Sequence, residues 1–126
     1  MSIETLEVVF EFEKAGTAEG ILRRYLAPLT IEHLAKKLPI FSTANSIQGI
    51  IFIPIDLRIG FEKSKNNVKE REIFYIPQNK AIGISLTNFS KLPFRVNPMG
   101  EITSETLSIL RNVRRGERVK ILPKSR

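Results

Sequence analysis

The chain has 126 residues, a formal charge of +7, no cysteine, one histidine (His33) and one aspartate (Asp56). This excludes a disulfide scaffold, a thiol nucleophile and a Cys-zinc centre, and leaves too few ligands for most metal cages or a Ser-His-Asp triad. With 42% apolar and 26% charged residues it reads as one globular domain over residues 1–126, able to bury a core without staples.

Leu6, Val8, Phe10 and Phe12 alternate with Glu7, Glu11 and Glu13, which predicts a strand with one apolar and one acidic face. Lys14 to Thr17 is turn chemistry, and Glu19 to Tyr25 returns as the second arm of a hairpin. Pro28 to Leu38 predicts a short helix with Thr30 as N-cap and Ile31, Leu34, Ala35 and Leu38 on one face, ended by Pro39. His33 falls on the opposite, solvent face of that helix.

Gly49 to Ile55 is a continuous apolar run, read as a buried strand. Lys63 to Arg71 is the most polar stretch and is expected as an exposed hairpin or loop. Glu72 to Ile76 and Ala81 to Leu86 are strands around a turn at Pro77 to Lys80. Arg95-Val96 and Met99 to Ile102 read as strand pieces interrupted by Pro98. Thr103 to Leu110 predicts a second short helix capped by Thr103 or Ser104, with Leu107 and Leu110 inward. After Gly116, Arg118 and Lys120 point to water while Val119 and Ile121 enter the core. Strands at short spacing with two short helices favour a mainly β fold, a closed or nearly closed barrel, with an open α+β sandwich as the alternative.

The charge is uneven. Residues 111–126 carry a net +6 and residues 1–110 a net +1. Arg111, Arg114, Arg115, Arg118 and Lys120 therefore form a candidate basic patch for nucleic acid or another anionic surface, although no aromatic residue interleaves them as a stacking platform. The seven glycines are scattered singly, so no phosphate loop exists, and no metal or cofactor is expected. The acidic start Met1 to Glu7 is unlike a signal peptide. The longest apolar run, Ile50 to Ile55, is far below the ~20 residues that span a bilayer. A cytoplasmic monomer or homodimer without a membrane partner is the expectation, and seventeen isoleucines with only two glutamines suit a hot-living source.

Five motifs then occur in order. Leu26-Ala-Pro-Leu-Thr-Ile-Glu-His-Leu-Ala-Lys-Lys-Leu-Pro39 resembles the "LAP-x-T-x-E-x-L-x-x-x-LP" helix of small prokaryotic cyclophilin-like proteins. Ile53-Pro54 with Ile59-Gly60, then Tyr75 to Ala81, are similar to that family's "IP", "IG" and "YWPPGxA". Pro93 to Ile102 resembles "P-x-x-V-N-x-x-G-x-I", and Gly116 to Val119 the closing "G-x-x-V".

The resemblance covers about residues 5 to 122 and implies a closed antiparallel barrel of about eight strands with a helix at each end. It also implies a peptide groove. True cyclophilins isomerise Xaa–Pro bonds with an arginine in a motif of the form "F-H-R-x-I-x-x-F-M-x-Q-G". Here Ile53 or Pro54 occupies the arginine position, no "FMxQG" follows, and Phe94-Arg95 stands near the place of the family's pocket histidine.

The groove is accordingly expected from Arg58, Phe61, Leu86, Thr87, Asn88, Phe89, Phe94 and Arg95, binding a proline-containing peptide or a small molecule without a catalytic residue. The alternatives are a weak prolyl isomerase using Arg58 or Arg95, and a nucleic-acid or anionic-surface binder acting through the C-terminal segment.

Overall fold

A computed structural model describes residues 4–124, so the last two residues of the basic segment lie outside the described part. Eight strands form a closed antiparallel barrel. They are β1 (Thr5–Phe12), β2 (Gly16–Arg23), β3 (Ile40–Ile47), β4 (Ile50–Pro54), β5 (Glu72–Ile76), β6 (Ala81–Ser85), β7 (Asn97–Ile102) and β8 (Glu117–Pro123). The order around the wall is β1-β2-β7-β5-β6-β4-β3-β8, with β8 pairing back to β1. Closure pairs every strand on both sides, which removes the exposed sheet edge that invites association. No helix among the described residues is long and apolar enough to cross a membrane.

Alternation places the core. Val8, Phe10 and Phe12 of β1, Val119 and Ile121 of β8, and Ile51 and Ile53 of β4 all enter the barrel, while Glu11, Glu13 and Arg118 stay exposed. Two short helices complete the core. α1 (Pro28–Lys37) follows the Arg23 end of β2 and buries Ile31 and Leu34, with His33 exposed. α2 (Leu107–Leu110) is entered through a 3-10 turn, Ser104–Thr106. It packs at the opposite end of β2, where Ile109 lies so close to Gly16 that an added Cβ would come within 3.2 Å.

One side of the wall carries a second apolar layer. Ile50 and Phe52 of β4 and Phe74 and Ile76 of β5 point outward, where Val68, Leu92 and Val96 cover them. Phe52, Gly83 and Phe74 are register neighbours across β4, β6 and β5, and the Phe74 ring lies over Gly83. Burial on both faces is why β4 and β5 read as continuous apolar runs rather than alternating ones.

Several expectations need correction. β3 has no strand signature in the sequence, because its inward residues are Ile40, Ser42 and Ala44 while Phe41 faces solvent at 70% exposure, which inverts the usual pattern. Thr30 is not the N-cap. Ala27 holds that position, Pro28 opens the helix, and Thr30 is buried inside the first turn. β7 runs through Pro98, which is tolerated because the β5–β7 register shifts at Ile73/Phe74, as at a bulge. Thr103 precedes the 3-10 turn but caps it with no side-chain bond to the backbone. The polar 63–71 segment is not wholly exposed, since Val68 is buried and pairs with Phe89.

Candidate functional site

The second apolar layer is incompletely covered. Between the β3–β4 turn and the 86–96 segment it opens as a cleft of about 290 Å³. Ile50, Phe52, Phe89, Leu92 and Phe94 give it an apolar surface; Gln48, Lys91 and Pro93 stand around it. Ile47, 46% exposed, lines it from the end of β3. The volume suits one or two side chains rather than a large cofactor.

Local chemistry fixes the walls. The two-residue turn Gln48-Gly49 has φ of 48° and 88°, the doubly positive geometry of a tight hairpin, which Gly49 adopts without strain. Thr87 and Phe89 lean on Gly49, whose added Cβ would meet them at 3.4 and 3.3 Å. On the other side Val68 and Phe89 exchange backbone bonds of 3.0 and 2.8 Å, and Leu92 N donates to Asn66 O at 2.6 Å. The Phe52 and Phe94 rings meet edge-on with centroids 6.5 Å apart.

Of the eight groove residues expected from the sequence, Phe89 and Phe94 line this cleft. Leu86 is buried with the barrel core. Asn88 accepts a bond from Glu70 N at 2.9 Å, and the Thr87 carbonyl accepts from the Ser85 hydroxyl. Arg95 is held by Ser64, whose hydroxyl it meets at 2.9 Å and whose carbonyl it meets at 2.6 Å. Arg58 is largely exposed near Asp56, with 3.9 Å between charged atoms. Phe61 is 53% exposed and precedes Glu62, whose carboxylate sits against α1. Neither Arg58 nor Arg95 lines the cleft, and Lys91 is its one cation among the described residues.

Ile47, Gln48, Ile50, Phe52, Lys91, Leu92 and Pro93 also line the cleft and lie outside the eight expected residues. Phe52 was findable: it alternates with Ile51 and Ile53, both fully buried in the barrel.

Described residues of the basic segment line two different concavities. Arg111 pairs with Glu70 at 2.8 Å, and together with Lys14 and Arg114 it lines a polar recess of about 560 Å³. Arg118 and Lys120 belong to another concavity, of about 540 Å³. There they share the surface with Glu11 and Glu13, and the Lys120 ammonium lies 5.5 Å from the centre of the exposed Phe41 ring. Arg115 is exposed and lines neither.

Two buried polar groups are structural anchors. The Tyr75 hydroxyl donates to Leu57 O inside the barrel, and burial holds it above the usual phenol range, so it stays protonated. The Glu117 carboxylate accepts backbone N–H bonds from Lys14 at 2.7 Å, Ala15 at 2.6 Å and Arg114 at 3.0 Å. Burial pushes its pKa up, but those bonds and the Lys14 ammonium together outweigh burial, and the net shift is down.

No protein-family model and no curated protein matches the chain. Solved structures do. The hypothetical protein AF2241 from Archaeoglobus fulgidus is similar at 28% identity and a TM-score of 0.78, over 96% of each chain. McbB, solved in complex with tryptophan, is similar at 16% identity and a TM-score of 0.79, over 94% of this chain and 45% of that one. What these comparisons establish is the barrel: this chain folds as they do.

Proposed function

We propose that the chain is a cyclophilin-like binding barrel that holds an extended, proline-containing peptide in the Phe52–Phe89–Phe94 cleft and does not isomerise it. The observation that carries this reading is the set of three partly exposed phenylalanines gathered on the outer face of β4. A phenylalanine-floored groove is also what the resemblance to the cyclophilin-like family implies. An apolar floor with backbone groups at the rim is suited to an extended apolar segment.

Catalysis asks for more. The Xaa–Pro barrier is ~18–20 kcal/mol and falls only when the twisted amide is held more tightly than the planar one. A donor aimed at that amide supplies this differential; Arg95 is held by Ser64, and neither it nor the exposed Arg58 lines the cleft. Lys91 is a flexible point charge rather than a fixed planar fork.

Calorimetric titration with a short Ala-Pro-containing peptide tests the reading. Saturable binding that weakens about tenfold or more in Phe94→Ala is expected, from the loss of one aromatic wall. Equal affinity in that variant would overturn the assignment. Since McbB is seen with tryptophan, free tryptophan is the small-ligand arm, and tighter binding of it than of the peptide would replace the peptide reading.

A further inference from the structure

We propose that the recess beside the β1–β2 turn binds a small phosphorylated molecule through Lys14, Arg111, Asn112 and Arg114. Two segments far apart in sequence meet there: Lys14-Ala15 from the hairpin turn, and residues 111–114, which follow α2. Its volume of about 560 Å³ suits a small ligand, and among the described residues its lining holds three cations and no carboxylate.

The recess is built rather than incidental. Glu117 lies buried between the two segments, and its carboxylate ties down Lys14 N, Ala15 N and Arg114 N. Both carboxylate oxygens are used by those bonds, which fixes the backbones that carry Lys14 and Arg114. The carbonyls at the end of α2 are also answered: Ser108, Ile109 and Leu110 accept from Arg111, Asn112 and Val113 N–H. The helix end therefore presents fewer bare acceptors to an anion. Among the described residues the side chains of Asn112 and Arg114 have no hydrogen-bond or ion-pair partner, and Lys14 acts on Glu117 only through space. Arg111 donates to Glu70 at 2.8 Å in a half-exposed pair and more loosely to Leu86 O at 3.3 Å, both weak enough for an anion to compete for it.

The charge layout favours a small ligand over a nucleic-acid strand. A phosphate backbone leaving the recess toward Arg118 and Lys120 would meet Glu11 and Glu13, which share that concavity. A compact polyanion satisfies the three cations without crossing them. Arginine and lysine together suit phosphate oxygens, the first by its planar fork and the second as a point charge.

The test is an amide-shift titration of the 15N-labelled protein with inorganic pyrophosphate at low salt. Saturable shifts confined to residues 14–15 and 111–115 are expected. The double variant Lys14→Gln/Arg114→Gln should weaken binding about tenfold or more, while Lys36→Gln/Lys37→Gln on α1, an equal loss of two surface charges elsewhere, should not. Citrate and a short mixed-sequence DNA duplex form the other arms. Absence of saturable shifts, citrate binding as tightly as pyrophosphate, or a duplex binding more tightly with shifts at Arg118 and Lys120 would each overturn the proposal. So would unchanged affinity in the double variant, whose folding is checked by its dispersed spectrum.

Discussion

Glu62 caps α1 through Thr30. One carboxylate oxygen accepts from the Thr30 backbone N–H at 2.7 Å and from the Thr30 hydroxyl at 2.6 Å, and the other accepts from Leu29 N at 2.9 Å. The negative charge also meets the positive end of the helix dipole. Asn97, fully buried at the start of β7, completes the junction: its carbonyl oxygen accepts from Glu62 N at 2.8 Å, and its amide donates to Gly60 O at 2.9 Å and to Thr30 Oγ1 at 3.3 Å. One helix start, one long connection and one strand are thereby locked together.

Removing the cap should cost stability. Glu62→Ala is expected to lower the unfolding free energy by about 1–2 kcal/mol, as loss of a helix cap does. Thr30→Val should cost about 1 kcal/mol, because it leaves neighbouring polar groups short of a partner. Since the two residues share bonds, the double variant should cost less than the sum by more than about 0.5 kcal/mol. Urea unfolding of the four proteins measures this, and strict additivity would show that the contact carries no energy.

Glu117 makes the fold acid-sensitive. Its folded-state pKa lies below that of the unfolded chain, so its stabilisation is complete above the ordinary glutamate value and is lost as pH falls through the depressed folded value. The urea midpoint of the wild type should therefore fall from about pH 4 downward. Glu117→Gln should be less stable at neutral pH by about 1–3 kcal/mol, since an amide nitrogen then confronts a backbone N–H, and its midpoint should fall less steeply with acid. Identical pH slopes in the two proteins would contradict the assignment.

Gly100 sits where β7 lies close against the β2 backbone. It pairs with Leu22 and Ile73, and a Cβ there would lie only 1.9 Å from the Ile21 carbonyl oxygen. Backbone cannot yield as a side chain does, so Gly100→Ala should lose about 3 kcal/mol or more, or fail to fold. Circular dichroism and thermal melting decide it. A near-native melting temperature would mean that β2 and β7 can separate at no cost.

Strands are legible in the sequence where they alternate in and out or run continuously apolar, as β4 and β5 do, and hidden where they do neither. β1 and β8 alternate cleanly because each has one core face and one solvent face, and their orientation is readable residue by residue. β3 is hidden because, after Ile40, its inward positions are the small Ser42 and Ala44, while the large Phe41 faces outward. The cap on α1 is equally hidden, since Glu62 lies 32 positions beyond Thr30 and only the closed barrel brings them together. Of the aromatic residues expected to floor a groove, Phe89 and Phe94 lie on the cleft. Arg58 and Phe61 fall in the connection that Glu62 ties to α1, and no spacing rule reveals which way such a long connection runs.

One experiment reads both whether the cleft binds a prolyl peptide and whether it leaves the rate of isomerisation unchanged. Exchange spectroscopy on an Ala-Pro-containing peptide, with the 15N-labelled protein in the same tube, should show protein shifts at residues 47–52 and 89–94 and no cis–trans exchange beyond the uncatalysed rate. Shifts confined to other residues, or exchange cross-peaks that grow with protein concentration, would contradict the proposed function.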